Sequence, residues 1–192
     1  MFIQKAALRR APSYATVPAH ALELVESSLD HDAQDLQETL DRGHRQMERQ
    51  QSHLSEWLAE QISDCDDELA QSLGYFLGVT VFLAFFEAFS KRLSSVSPDA
   101  LKMVLKTFDI DEELRAADPN NGLGSDDVIG LSQPVLVEYV QHHMGEALEQ
   151  AGEHVNTQGF DDIYRAVLVQ IIALSYAVQS PEGMTQPALD VH

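Results

Sequence analysis

Apolar residues recur along this chain at spacings of three and four, the period of helices packed on one face. Leu22, Val25 and Leu29 share one side of a helix expected to begin near Ala19, after Pro18. Leu36, Leu40, Met47, Leu54, Leu58 and Ile62 carry the pattern on, with Gln, Glu, Arg and His between them. This predicts a long amphipathic helix over 30–62. Gly43 and a shift of apolar phase near Leu40 argue against a strict heptad seam, so a bundle helix is expected. The same stretch is the candidate surface for homo-oligomer contacts.

Two later stretches lack a polar side. Leu73 to Phe86 carries no charge, and Lys91 with Arg92 closes its last turn. Fourteen apolar residues fall short of the roughly 20 needed to span a bilayer, which favours a buried core helix. Gly74 and Gly78 form a GxxxG pair suited to close helix approach. From Ala166 to Val178 only Gln170 and Ser175 interrupt a second apolar run. Helices apolar all round belong at the centre of a bundle. Between them, Ser97-Pro98-Asp99 and Ser132-Gln133-Pro134 mark two more helix starts, and Asp118 to Asp127 is the strongest loop signal. Neither an internal repeat nor a β-hairpin is signalled.

The expected fold is therefore all-α, a single-domain bundle of about five to seven helices. Two apolar helices, near 70–92 and 160–179, sit at its centre. Residues 1–18 read as a basic flexible arm folding back on an acidic body, 19–180 as the bundle, and 181–192 as a disordered tail.

Charge changes the functional picture. The 192 residues carry 31 acids against 12 Lys and Arg, a net charge of −19. Such a chain repels phosphate backbones and anionic lipid, so neither direct nucleic-acid binding nor membrane association is expected. One cysteine, Cys65, permits no internal disulfide and suits a cytoplasmic setting. Its neighbours Asp64, Asp66, Asp67 and Glu68 disfavour a reactive thiolate. No lysine or arginine occurs between Arg115 and Arg165, while nine acids do.

Most of those acids fall in one loop or on one side of the helix 134–151. Leu136, Tyr139, Val140, His143 and Ala147 face one way on it, and Glu138, His142, Glu146, Glu149 and Glu153 the other. Glu138, His142 and Glu146, each four residues apart, are the candidate divalent-metal ligands, though paired Glu-x-x-His motifs are absent. The loop fails the EF-hand pattern, with Leu123 where glycine is required and Ile129 where glutamate is required. No phosphate loop, dinucleotide loop or nucleophile elbow is present.

The leading expectation is thus a non-enzymatic acidic helical protein, of adaptor, chaperone or inhibitor type. It would use Asp126, Asp127, Glu138, Glu146, Glu149 and Glu153 to dock a basic protein region, with no cofactor. The alternative is a metal-binding helical protein or metal-dependent enzyme built on Glu138, His142 and Glu146.

Overall fold

The computed structural model describes residues 8–29, 33–117, 124–152 and 157–181. Eight α-helices occur among them, slightly more than the pattern suggested: α1 (Ala19–Leu29), α2 (Ala33–Gln50), α3 (Ser52–Ser63), α4 (Glu68–Phe89), α5 (Pro98–Ala117), α6 (Ser125–Ser132), α7 (Pro134–Ala151) and α8 (Thr157–Ala177). The two central helices are those expected. α4 packs against α8 and is covered by α1, α2, α3 and α7, while α5, α3 and α7 cover α8. Phe82 and Phe85 on α4, and Ile163, Ile171, Ile172 and Leu174 on α8, are fully buried. Each such side chain contributes about 1.5–3 kcal/mol through removal from water. α4, with its extension to Arg92, is long and apolar enough to cross a membrane, yet over half of its most apolar window is buried by the rest of the chain.

Glycine permits the tightest of these contacts. A methyl group on Gly78 would lie 2.6 Å from Leu58 Cδ2, and one on Gly74 2.9 Å from Ile163 Cδ1. Leu58 is itself buried and has little room to yield. Gln170, a fully buried amide on α8, donates to the Gly78 carbonyl at 2.8 Å.

The amphipathic stretch expected as one helix over 30–62 is two helices, broken at Gln51. That residue leaves helical geometry (φ −134°, ψ 47°), and its side chain is completely buried. Its Nε2 donates to the Ser94 carbonyl at 2.9 Å, and its Oε1 accepts from the Val96 amide at 2.8 Å. The apolar residues of this stretch turn inward, Leu40, Met47, Leu54 and Leu58 all being buried. α6 is a further element that the loop signal concealed. It is too short to show a period, and the Asp127 carboxylate holds its start by accepting from the Gly124 amide at 2.9 Å.

Gln133, between α6 and α7, repeats the Gln51 joint. Its backbone has the same geometry (φ −133°, ψ 57°) and its side chain is again fully buried. Its Oε1 accepts from the Val17 amide at 2.9 Å, while its Nε2 donates to the Ala15 carbonyl at 2.6 Å and to Ser175 Oγ at 2.8 Å. Each glutamine thus clasps the carbonyl of one residue and the amide two residues on, in an extended segment leading into a helix.

These joints expose an internal repeat that the sequence did not signal. A 3-10 turn (Ser13–Ala15), α1, α2, Gln51, α3 and α4 are followed by a second turn (Ser90–Arg92), α5, α6, Gln133, α7 and α8. Sequence echoes accompany the plan. Ala15-Thr-Val17 with Ala21-Leu22 answers Ser94-Ser-Val96 with Ala100-Leu101. Gln51, Leu54, Glu56, Trp57 and Leu58 answer Gln133, Leu136, Glu138, Tyr139 and Val140. The two echoes sit at different separations and share few identities, so no fixed period exists to be found. The clasps are reciprocal, because Gln51 of the first half holds the second and Gln133 of the second holds the first.

Of the segment expected as an arm, residues 8–18 are packed, with Leu8, Ala11, Ala15 and Val17 buried. Residues 1–7, and the tail beyond Pro181, lie outside the described residues.

Gln51→Ala and Gln133→Ala each strand a buried amide and carbonyl, so each should lower the unfolding free energy by about 1–3 kcal/mol in urea titrations. Gly78→Ala should cost a similar amount, about 1–3 kcal/mol, through overpacking against Leu58. Neutral outcomes at both glutamines would contradict the clasps.

Candidate functional site: an acidic groove between α1 and α7

Gln133 fixes two helices at once. α7 begins immediately after it, with Pro134 in the first turn, and the Val17 amide it holds leads through Pro18 into α1. Thr16 Oγ1 adds a bond to the Ser132 carbonyl at 3.0 Å. The starts of α1 and α7 are therefore pinned side by side, and their exposed faces form the walls of a groove.

α7 buries Leu136, Val137, Tyr139, Val140, Met144 and Ala147 and exposes Glu138, His142, Glu146 and Glu149, the division its periodicity predicts. Three adjoining clefts run along it. The middle one, about 600 Å³, has Glu23 and Glu26 of α1 on one wall and Glu138 and His142 on the other, over Leu22, Val135 and Tyr139. A second, about 560 Å³, shares Glu23, Glu26 and Tyr139 with it and continues over Leu29, Leu36 and Phe76 to His143. A third, about 380 Å³, shares Glu138 and Gln141 and reaches Asp126 and Asp127 beside Leu131 and Pro134. Carboxylates edge the whole path, and none of the three clefts is lined by lysine or arginine.

The structure thus brings Asp126, Asp127 and Glu138 together along one groove. Asp127 has a second task as the start of α6. Glu146 and Glu149 are exposed on α7 beyond the cleft linings, and Glu153 lies outside the described residues. Glu23 and Glu26 were missed by sequence reasoning. They flank the Leu22-Val25-Leu29 face, but nothing local says that this helix lies beside α7.

Within the groove floor, the Tyr139 ring meets His143 edge-on at 4.4 Å between centroids, and His143 in turn meets Phe76 at 5.4 Å. Burial, reinforced by the Glu26 charge, raises the Tyr139 phenol well above its usual range, although a hydrogen bond with Thr80 opposes this. It therefore stays neutral. Burial also lowers the His143 imidazole below its ordinary value, opposed by Glu146 and Glu26 and assisted by His142. Glu146 sits between two histidines, with His142 Nε2 at 3.4 Å and His143 Nδ1 at 3.5 Å from its oxygens. Glu138 does not complete a metal site with them: among the described residues no group of three or more His, Cys, Asp or Glu side chains is arranged to hold a metal ion.

The depressed His143 value carries a sign. The folded chain prefers the neutral ring, so the contribution is present above the unfolded value of about 6.5 and is lost as pH falls through the lower folded value. Wild type should therefore lose stability on acidification from about pH 7 to pH 5, and His143→Gln should flatten that part of the profile in urea titrations. Equal slopes in the two proteins would contradict this assignment.

Comparison with protein-family models, with curated protein sequences and with solved structures finds no match for this chain, so what the groove does rests on its own geometry.

Proposed function

We propose that this chain is a non-catalytic docking protein, of adaptor, chaperone or inhibitor type, whose α1–α7 groove receives a basic, amphipathic segment of another protein. The observation that carries the reading is the pairing of carboxylates on both walls with an apolar floor. A helix with one apolar stripe and flanking Lys or Arg would bury the stripe on Leu22, Val135 and Tyr139 and set its cations between Glu23, Glu26 and Glu138. The field of a chain with net charge −19 would speed the encounter.

Solubility alone would spread acids evenly, and the repeat supplies an internal comparison. α5 and α3 are the counterparts of α1 and α7, and there Lys102 stands where α1 has Glu23, while α3 keeps Glu56 in the Glu138 position. Paired acidic walls occur at the α1–α7 seam and not at its α5–α3 counterpart. The buried free thiol of Cys65 is in keeping with a cytoplasmic protein.

A fluorescent, designed amphipathic peptide with Lys flanking its apolar stripe should bind in anisotropy titrations, while the same peptide with Glu in place of Lys should not. Affinity should fall steeply between about 50 and 300 mM salt. Glu26→Lys and Glu138→Lys should each weaken binding roughly tenfold, with Glu56→Lys as the neutral control. Equal binding of both peptides, or equal effects of all three substitutions, would overturn the reading.

A further inference from the structure

The outer face of α5 carries an apolar strip that has no cover among the described residues. Met103 is 70% exposed, Leu114 49% and Ile110 39%, on a helix that packs its other side through Leu101, Val104 and Phe108 onto α8 and α3. Met103, Thr107, Ile110 and Leu114 follow one another at spacings of four, three and four, so they form a single seam along the helix. At its N-terminal end the seam borders a cleft of about 840 Å³, where Met103 and Thr107 stand opposite Tyr176. A continuous apolar strip of this kind on a highly charged chain marks a contact surface.

Charge along the seam selects the occupant. Lys102 and Lys106 lie on one flank, one turn after the exposed Asp99, and Glu113 lies on the same flank toward the C-terminal end. None of the three belongs to an ion pair among the described residues, whereas the neighbouring acids are engaged: Asp109 and Glu112 with Arg165, and Asp111 with Arg115. Two lysines followed along the flank by Glu113 find their counterparts in the same flank reversed.

We propose that α5 pairs antiparallel with α5 of a second copy of this chain. Met103 then packs against the partner's Leu114 and Thr107 against the partner's Ile110. In an antiparallel pair like flanks face one another, so Lys106 and Lys102 reach the partner's Glu113, and the exchange is repeated across the dyad. A parallel pairing would turn this flank toward the partner's opposite flank and leave Lys102, Lys106 and Glu113 without these counterparts. The seam is short, and mutual repulsion of two acidic chains opposes it, so the dimer forms in the micromolar range. This surface is separate from the α1–α7 groove, and the inference does not depend on what the groove binds.

Sedimentation velocity of the full chain at increasing concentration tests the pairing. A monomer–dimer equilibrium is expected. Ile110→Glu should raise its dissociation constant at least tenfold with unchanged helical circular dichroism. Lys106→Glu and Glu113→Lys should each weaken the dimer, and the double exchange Lys106→Glu with Glu113→Lys should restore it. Wild type monomeric up to several hundred micromolar would overturn the proposal. So would a dimer indifferent to Ile110→Glu, or a double exchange no tighter than either single one.

Discussion

A backbone amide or carbonyl removed from water must find a partner or cost about 1–3 kcal/mol, and this fold meets that demand where its chain leaves helical geometry inside the core. The segments entering α1 and α5 bury Val17 and Val96 before either helix begins, so their own helices offer these residues nothing. Gln133 and Gln51 supply the missing donors and acceptors from across the molecule. Because each glutamine also ends one helix and starts the next, a single side chain sets the directions of three helices. Because each glutamine belongs to the half opposite the segment it holds, neither half has a closed interior alone. One continuous hydrophobic cluster, from Leu8 through Phe85 and Phe108 to Val178, reflects that dependence.

The candidate site inherits its shape from the same contact. α1 and α7 come from different halves, and the groove between them is the seam where the halves meet. Its floor consists of residues the fold requires in any case, such as Leu22 and Tyr139, while its character lies in the carboxylates placed on either side. The corresponding seam between α5 and α3 has the same scaffold, yet Lys102 breaks the acidic pairing there. The same order of elements with different surface charge gives the two seams different faces.

Much of the architecture was legible in the residues. The uncharged run from Leu73 to Phe86 and the apolar run from Ala166 to Val178 pointed to central helices, since no rotation offers them a wet side. The division of α7 into two faces followed from its spacing, as did the placing of Glu138 and His142 on the open one. What escaped was tertiary in origin. Gln51 lies among Arg49, Gln50 and Ser52, where a glutamine is indistinguishable from a surface residue; its meaning appears only once Ser94 and Val96 are beside it. α6 escaped because Asp127 reads as a loop residue until it is seen holding the Gly124 amide. Glu23 and Glu26 could be assigned to an exposed side of α1 but not to a site, because the neighbour of that side is chosen by Gln133.

Hydrogen exchange at two amides tests the interlock most directly. If the halves close each other, the Val17 and Val96 amides should exchange only through global unfolding, with protection equal to that of the α4 and α8 interior. Exchange of Val17 at the rate of a fraying terminus, while α4 and α8 stay protected, would show that the N-terminal segment is not clasped and would contradict the account.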